Sequence, residues 1–170
     1  MPALLRPFSG LRQPVAAAVA LFTTVTLALV MAVTGSALVA QRADAATRVN
    51  HAISVARNQI GDPYHYGSDG PRRFDCSGLT YFAFHKRSGF GHFPRTASAQ
   101  AHFARHIRKS HMRKGDLMFF YNNSGVYHVG IFTGFRNGHR MVLHSPYPGK
   151  HVHVERVWTR RWFAGTLRHR

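Results

Sequence analysis

The sequence has a single cysteine, Cys76, among its 170 residues. One cysteine cannot form a disulfide within the chain, so a disulfide-stapled fold is excluded. Acidic residues are also scarce, with six Asp and Glu against 23 Lys and Arg. Several of these acids fall in turns, which argues against glycoside hydrolysis by a placed pair of carboxylates. The chain has no visible repeat, low-complexity tract or second-domain linker, so one principal domain is expected.

The first 45 residues have the composition of a leader. Two arginines precede a nearly apolar stretch from Val15 to Ala40, and Ala43-Asp44-Ala45 fits a small-x-small cleavage site. The apolar stretch exceeds the usual length of about 7–15 residues in signal peptides. An uncleaved membrane anchor is therefore the alternative, because about 20 apolar residues span a bilayer. Both interpretations predict a secreted or cell-wall protein whose domain occupies residues 46–170.

The formal net charge of +17 favours a polyanionic partner. For an exported protein, anionic cell-wall polymers are the expected partner, and a merely solvated basic surface is the alternative. Dedicated nucleic-acid binding is not expected, since the basic residues are scattered and no nucleic-acid module pattern occurs. Nothing in the sequence indicates a cofactor or an oligomer, so a monomer without cofactor is expected.

The order of secondary structure predicts an α+β fold. Helical spacing predicts a helix from Val49 to Ile60, begun by Thr47 and ended by Gly61-Asp62-Pro63. A second helix is expected from Cys76 to about Lys86, and a third begins after Thr96. Strand patterns then occupy residues 116–121, 127–133, 139–144, 151–157 and 162–167.

Cys76 lies between a Gly/Pro-rich loop, Gly67 to Pro71, and the apolar stretch Leu79 to Phe84. This position predicts the first turn of a helix, whose positive end lowers the pKa of a thiol and favours the thiolate. Cys76 is then a candidate nucleophile. The alternative is a small buried hydrophobic residue, which is common for a free cysteine.

A thiolate nucleophile needs a base, and imidazole suits that task. Among 13 histidines, His128 begins an apolar strand and His144 ends the next one. A hairpin would place them side by side, so that His144 orients His128 as the third group of a triad does. A regular two-residue turn at Asn137-Gly138 would point them to opposite faces. The triad therefore requires an odd loop or a bulge within Thr133–His139.

Six segments follow one another in a fixed order across residues 49–157. They are Gly61-Asp62-Pro63-Tyr64-His65-Tyr66-Gly67, Phe74-Asp75-Cys76-Ser77-Gly78-Leu79, Pro94-Arg95-Thr96-Ala97 with Gln100, Gly115-Asp116-Leu117-Met118-Phe119-Phe120, His128-Val129-Gly130-Ile131-Phe132, and Met141-Val142-Leu143-His144-Ser145-Pro146. Together they resemble the NlpC-type cysteine peptidase family of bacterial cell-wall endopeptidases.

The resemblance implies a papain-like α+β fold, with helices packed on an antiparallel sheet of about five strands. The nucleophile would stand at the N-terminus of a buried helix. It also implies that Cys76 is the nucleophile, His128 the base and His144 the orienting residue. The expected reaction is hydrolysis of peptidoglycan stem peptides, typically between D-γ-glutamate and a diamino acid.

The same resemblance assigns substrate-binding residues. Tyr64, Asp75 and Ser77 would line the pocket for the free amino end of the substrate, and Arg95 belongs to the next motif. The alternatives are loop packing for Tyr64 and helix capping for Asp75. Two departures stand out. Gly67-Ser68 replaces the usual pair of glycines, and the connection from His128 to His144 is longer than the family's common one.

Three rival functions remain open. Zinc hydrolysis would need ligands such as His102 with His106, or His151 with His153, but neither pair has an obvious carboxylate or cysteine as a further ligand. No metal is therefore expected. A Cys-His site can also transfer its acyl group to an amine, which would make the protein an acyltransferase or amidase. A non-enzymatic cationic wall-binding protein is the third rival.

Overall fold

The computed structural model describes residues 39–41 and 43–169. It divides the chain into two units, Met1–Val39 and Ala40–Arg170, and all elements named below belong to the second. The leader predicted for residues 1–45 lies almost entirely outside the described residues. Within the described residues, no helix combines the length and the apolar character needed to cross a bilayer.

Among the residues that the structure describes, three α-helices precede all six strands of the sheet. Helix α1 includes residues 40–41 and 43–57. Helix α2 covers Cys76–Tyr81 and continues as a π-helical segment over Phe82–Lys86, and α3 covers Ala97–Phe103. The expectation that Thr47 begins the first helix is wrong, because its hydroxyl donates to the Ala43 carbonyl inside α1 (3.0 Å). Thr96 caps α3 as predicted, accepting from the Ala99 amide.

The sheet has six strands, all paired antiparallel, in the order β1-β6-β2-β3-β4-β5. The strands are β1 Arg105–Ile107, β2 Leu117–Asn122, β3 Gly125–Arg136, β4 His139–His144, β5 His153–Arg156 and β6 Trp162–Thr166. The sequence predicted about five. The additional strand is β1, a three-residue edge strand with two basic residues, which has no alternating pattern to announce it.

Both faces of the central strand β2 are buried, so the core lies on two sides of the sheet. One cluster joins Leu117 and Phe119 to helix residues such as Leu79 and Phe84. The second cluster covers the opposite face of the strand, where Met118, Phe120, Phe132, Val142 and Trp162 pack together. Alternation along β2 therefore supplies apolar side chains to both faces.

The hairpin between β3 and β4 contains the bulge that the triad hypothesis required. Arg136 pairs with His139 across a two-residue turn, but the register shifts between Phe132 and Gly134, which leaves Thr133 as an extra residue. Beyond the shift Ile131 pairs with Leu143. This single slip reverses which side chains share a face. The prediction of a bulge that turns His128 and His144 to one side is confirmed.

Two side chains, Ser145 and Gln100, hold the loop and helix of Cys76 in place through hydrogen bonds. Ser145, which follows β4, donates its hydroxyl to the Phe74 carbonyl (2.7 Å). The Gln100 amide of α3 donates to the carbonyls of Ser77 (3.0 Å) and Pro94 (2.9 Å). Since these groups are buried, losing a partner would leave polar atoms unsatisfied. The segment around Cys76 is thereby fixed to α3 and to the residue that follows β4.

Candidate active site

Cys76 is the first residue of α2 and is partly buried. Asp75 precedes it as the N-cap, and its Oδ1 accepts from the Gly78 amide (2.6 Å). Burial raises the pKa of the thiol, although hydrogen bonds from the Val129 and Ser77 backbone oppose this. The expectation of a lowered pKa is wrong, because desolvation of the thiolate outweighs the end of a six-residue helix.

The two predicted histidines form a buried pair. His128 Nε2 and His144 Nδ1 lie 2.8 Å apart, and the side chains are 5% and 1% exposed. Burial lowers the pKa of His128 to about 4. Burial, together with repulsion from His128 and His153, lowers the pKa of His144 to about 2. Both rings are therefore neutral at pH 7, so His128 is able to accept a proton.

Glu155 on β5 approaches His144 from the side away from His128. His144 Nε2 lies 2.9 Å from Glu155 Oε1, but its N–H direction does not satisfy hydrogen-bond geometry to that oxygen. In the sequence, Glu155 stands out only as one of few acidic residues. The signal was the alternation of His151, His153 and Glu155 on the strand after His144, which puts the last two on one face.

Trp158 covers the histidine pair and was also missed. Its ring stacks on His144 (5.3 Å between centroids, 26°) and on Phe120 (4.4 Å, 10°), and it meets His128 edge-on (5.8 Å, 62°). Trp158 follows β5 and carries no motif, so only the folded chain shows that it shields the two imidazoles from water.

A groove runs past Cys76 on both sides. A cavity of about 450 Å³ on one side is lined by residues that include all four predicted substrate-binding residues, Tyr64, Asp75, Ser77 and Arg95. A cavity of about 520 Å³ on the other side is lined by Tyr64, Cys76, Tyr127, His128, His144, Pro146, Tyr147, Glu155 and Trp158. Every predicted site residue thus lines one of two cavities, and Tyr64, Cys76 and Tyr127 line both.

Asp75 already has several partners within the protein. Arg95 Nη1 and Nη2 donate to its two carboxylate oxygens (3.0 and 2.7 Å), and Gly67 N–H donates to Oδ2 (2.9 Å). Asp75 does cap α2, as the helix-capping alternative held. Arg95 balances the charge of its carboxylate. Burial raises the pKa of the neighbouring Tyr64, and negative charge at Cys76 and Asp75 adds to this effect. Its phenol therefore stays protonated and able to donate.

The sequence profile of the NlpC/P60 family matches residues 61–170, and the chain belongs to this family. The probable endopeptidase Cgl2188 of Corynebacterium glutamicum is 41% identical over 106 residues, which are 62% of this chain and 47% of that protein. The murein DD-endopeptidase MepH of Escherichia coli is 36% identical over 128 residues, covering 68% of this chain and 45% of that protein. The chain spans about half the length of these relatives.

Solved structures agree with the fold. The peptidoglycan hydrolase RipB of Mycobacterium tuberculosis superposes with a TM-score of 0.62 at 30% identity, over 74% of this chain and 67% of that one. The NlpC/p60 domain of the peptidoglycan hydrolase SagA gives a TM-score of 0.57 at 30% identity, over 69% of this chain and 97% of that domain. The predicted papain-like α+β class is confirmed, with six strands in place of about five.

Proposed function

We propose that this protein is an exported cysteine endopeptidase that hydrolyses stem-peptide amide bonds in peptidoglycan. The observation that carries the proposal is the placement of the only thiol, Cys76, on the same cavity as the buried His128–His144 pair. The resemblance to peptidoglycan hydrolases and endopeptidases supports the substrate class.

The direction of proton transfer follows from which ring nitrogens of the two histidines are already hydrogen-bonded to each other. His128 Nε2 is paired with His144 Nδ1, so Nδ1 of His128 is the nitrogen left for the thiol. Because burial keeps the thiol protonated and His128 neutral, the resting pair is uncharged. On attack, the thiol proton passes to His128 while sulfur bonds to the substrate carbonyl carbon. The leaving amine then takes that proton, and a thioacyl-enzyme remains.

Water completes the cycle. It gives a proton to His128 and attacks the thioester, which releases the carboxylate product and restores the thiol. The oxyanion in both halves requires N–H donors. The Cys76 amide stands at the first position of α2, where an N–H has no intrahelical partner, and it is the donor proposed here.

We place the free amino end of the substrate in the cavity of Tyr64, Asp75, Ser77 and Arg95, and the bond to be cut at the thiol. The proposed bond joins D-γ-glutamate to a diamino acid. The ion pair of Asp75 and Arg95 offers acceptors and donors together, which suits a zwitterionic peptide end better than a bare ammonium. Removal of the leader and retention at the cell wall through basic charge complete the proposal.

Digestion of purified peptidoglycan, with fragments identified by mass spectrometry, tests the function. Wild-type protein should cut stem peptides with a free amino end between D-γ-glutamate and the diamino acid, and Cys76→Ala should cut none while keeping its melting temperature. Iodoacetamide should inactivate the wild type by labelling Cys76, faster as pH rises, because burial raises the pKa of that thiol. Activity retained in Cys76→Ala would overturn the proposal, and peptides carrying an added amine would indicate acyl transfer instead.

A further inference from the structure

Three potential metal ligands converge on the side of His144 that faces away from His128. In the part of the chain that the structure describes, His144, His153 and Glu155 are the one group of three such residues whose ligand atoms lie within 4.8 Å of one another. His153 pairs directly with His144 across β4 and β5, and Glu155 follows two residues later. In the sequence, His153 had no obvious carboxylate ligand beside it and no histidine partner other than His151. Pairing of β4 with β5 places His144 next to it, and Glu155 lies on the same strand.

The hydrogen bonds leave one ring nitrogen of each histidine directed to this cluster. His153 Nδ1 lies 2.7 Å from the His151 carbonyl, to which it donates, so Nε2 carries the free lone pair. His144 Nδ1 is used by His128, and His144 Nε2, in a side chain 1% exposed, has no hydrogen-bond partner. A histidine that binds a metal through one ring nitrogen usually makes a hydrogen bond to another group through its second ring nitrogen.

The distances suit a metal after small movements of exposed side chains. Glu155 Oε1 lies 2.9 Å from His144 Nε2, and Glu155 Oε2 lies 3.7 Å from His153 Nε2. Tetrahedral Zn²⁺ with bonds of about 2.0–2.1 Å holds its ligand atoms roughly 3.4 Å apart. His153 and Glu155 are 38% and 43% exposed and are able to adjust, whereas His144 is held by the core.

We propose that His144, His153 and Glu155 form a site for a divalent transition metal ion, for which Zn²⁺ is the probe. Two imidazoles and one carboxylate are a ligand set that zinc accepts, with water in the fourth position. The site opens on the cavity beside Trp158 and is separate from the thiol, which is not one of its ligands.

Metal binding would switch off the peptidase, a consequence that rests on the proposed function. Catalysis needs His128 to carry its hydrogen on Nε2 and to donate to His144 Nδ1, which leaves His128 Nδ1 open to the thiol proton. A metal on His144 Nε2 obliges that ring to carry its hydrogen on Nδ1 instead. The shared hydrogen bond then reverses, His128 carries its hydrogen on Nδ1, and the base has no lone pair facing Cys76.

Binding is tested first, because it needs no activity. Zn²⁺ titration by calorimetry on the Cys76→Ala variant should show one site, since sulfur takes no part. His153→Phe keeps an aromatic ring against His144 but offers no ligand, and it should weaken binding at least tenfold. Co²⁺ bound to the wild type should show no sulfur charge-transfer band. Zinc affinity unchanged in His153→Phe, or lost in Cys76→Ala, would overturn the site.

Inhibition is tested second, on peptidoglycan digestion by wild type and by His153→Phe. The wild type should lose activity as Zn²⁺ is added and regain it with a chelator. His153→Phe should keep the basal rate and need at least tenfold more Zn²⁺ for the same loss. Equal inhibition of both proteins would mean that zinc acts on the thiol directly, and would refute the switch. Absence of any hydrolysis in the wild type would instead count against the proposed function and leave the binding result standing.

Discussion

His128 and His144 are chemically the same residue with different surroundings. His128 faces the cavity that holds Cys76, and its pKa is lowered to about 4 by burial. His144 lies between His128 and Glu155, and Trp158 stacks on its ring. The first ring is therefore placed to exchange a proton with the substrate and the thiol. The second is placed to fix which nitrogen of the first ring carries hydrogen.

We expect His128→Ala to lower kcat/KM more than His144→Ala does. Loss of a base that transfers protons directly costs about 10²–10⁴ in rate, whereas loss of the orienting group leaves the base in place. Both variants should be assayed on a defined stem peptide, with the melting temperature measured alongside, because His144 is almost fully buried. A greater loss at His144, at equal stability, would show that the two roles are exchanged.

At the residue scale, the sequence predicts only those site residues that stand in a recognisable motif. Cys76, His128 and His144 stand in motifs with fixed neighbours, and their meeting in space needed only the predicted hairpin bulge. Glu155 and Trp158 have no motif, and they reach the site because β5 pairs with β4 and the chain then turns back. The pKa of the thiol was predicted in the wrong direction, since burial depends on packing that no local pattern reveals.

At the scale of elements, apolar patterns predicted the interior strands well and the edges poorly. The bounds of β4 agree with the sequence prediction, because a turn signal and buried residues delimit it. Strand β1 was missed, since it is a short, basic edge strand that pairs with β6. Residues 43–48 continue α1 beyond the predicted start, because Thr47 bonds back within the helix and does not cap it.

Close packing of α2 against the loop before it depends on Gly78. A Cβ at this position would overlap the Ser68 carbonyl oxygen and lie 3.0 Å from the Asp69 Cα, both of which are backbone atoms. We expect Gly78→Ala to destabilise the fold by about 1–3 kcal/mol, the usual cost of overpacking. Peptidase activity should fall with it, because the shift moves the helix that begins at Cys76.

Gly91→Ala is the matched control for Gly78→Ala, since its Cβ would meet no atom within 4 Å and its backbone is not in the left-handed region. Thermal unfolding should separate the two variants clearly, with Gly91→Ala close to wild type. Equal melting temperatures for Gly78→Ala and wild type would show that the loop yields and that its packing on α2 is not what positions the nucleophile.

For the whole molecule, the buried neutral histidines predict loss of stability in acid. The pKa values of His128 and His144 fall from 6.5 to about 4 and about 2 on folding, so the unfolded chain binds more protons below pH 6.5. The contribution of the two histidines to the free energy of unfolding is complete above pH 6.5 and is lost as pH falls towards 4. Asp116 acts in the opposite direction, because burial raises its pKa.

The measurement is the melting temperature between about pH 8 and pH 4, a range that contains the unfolded histidine pKa of about 6.5. Wild type should lose several degrees below pH 6.5, and His128→Gln, which removes one of the two titrating groups, should show a shallower slope. A wild-type melting temperature that stays constant across this range would contradict the assignment of a neutral, buried histidine pair.

The excess of basic residues predicts wall binding that weakens with salt. A formal net charge of +17 acts on anionic polymers mainly through screened attraction. Raising NaCl from about 0.05 to about 0.5 M shortens the screening length from roughly 14 to roughly 4 Å, so exposed charges lose most of their reach.

Sedimentation with purified cell walls should use Cys76→Ala, because an active enzyme would digest the ligand during the measurement. Walls stripped of their anionic polymers provide the control and should bind less protein at low salt. Binding that is equally strong at both salt concentrations would instead place wall recognition in the groove around Tyr64 and Arg95, where contacts are short and partly shielded from solvent.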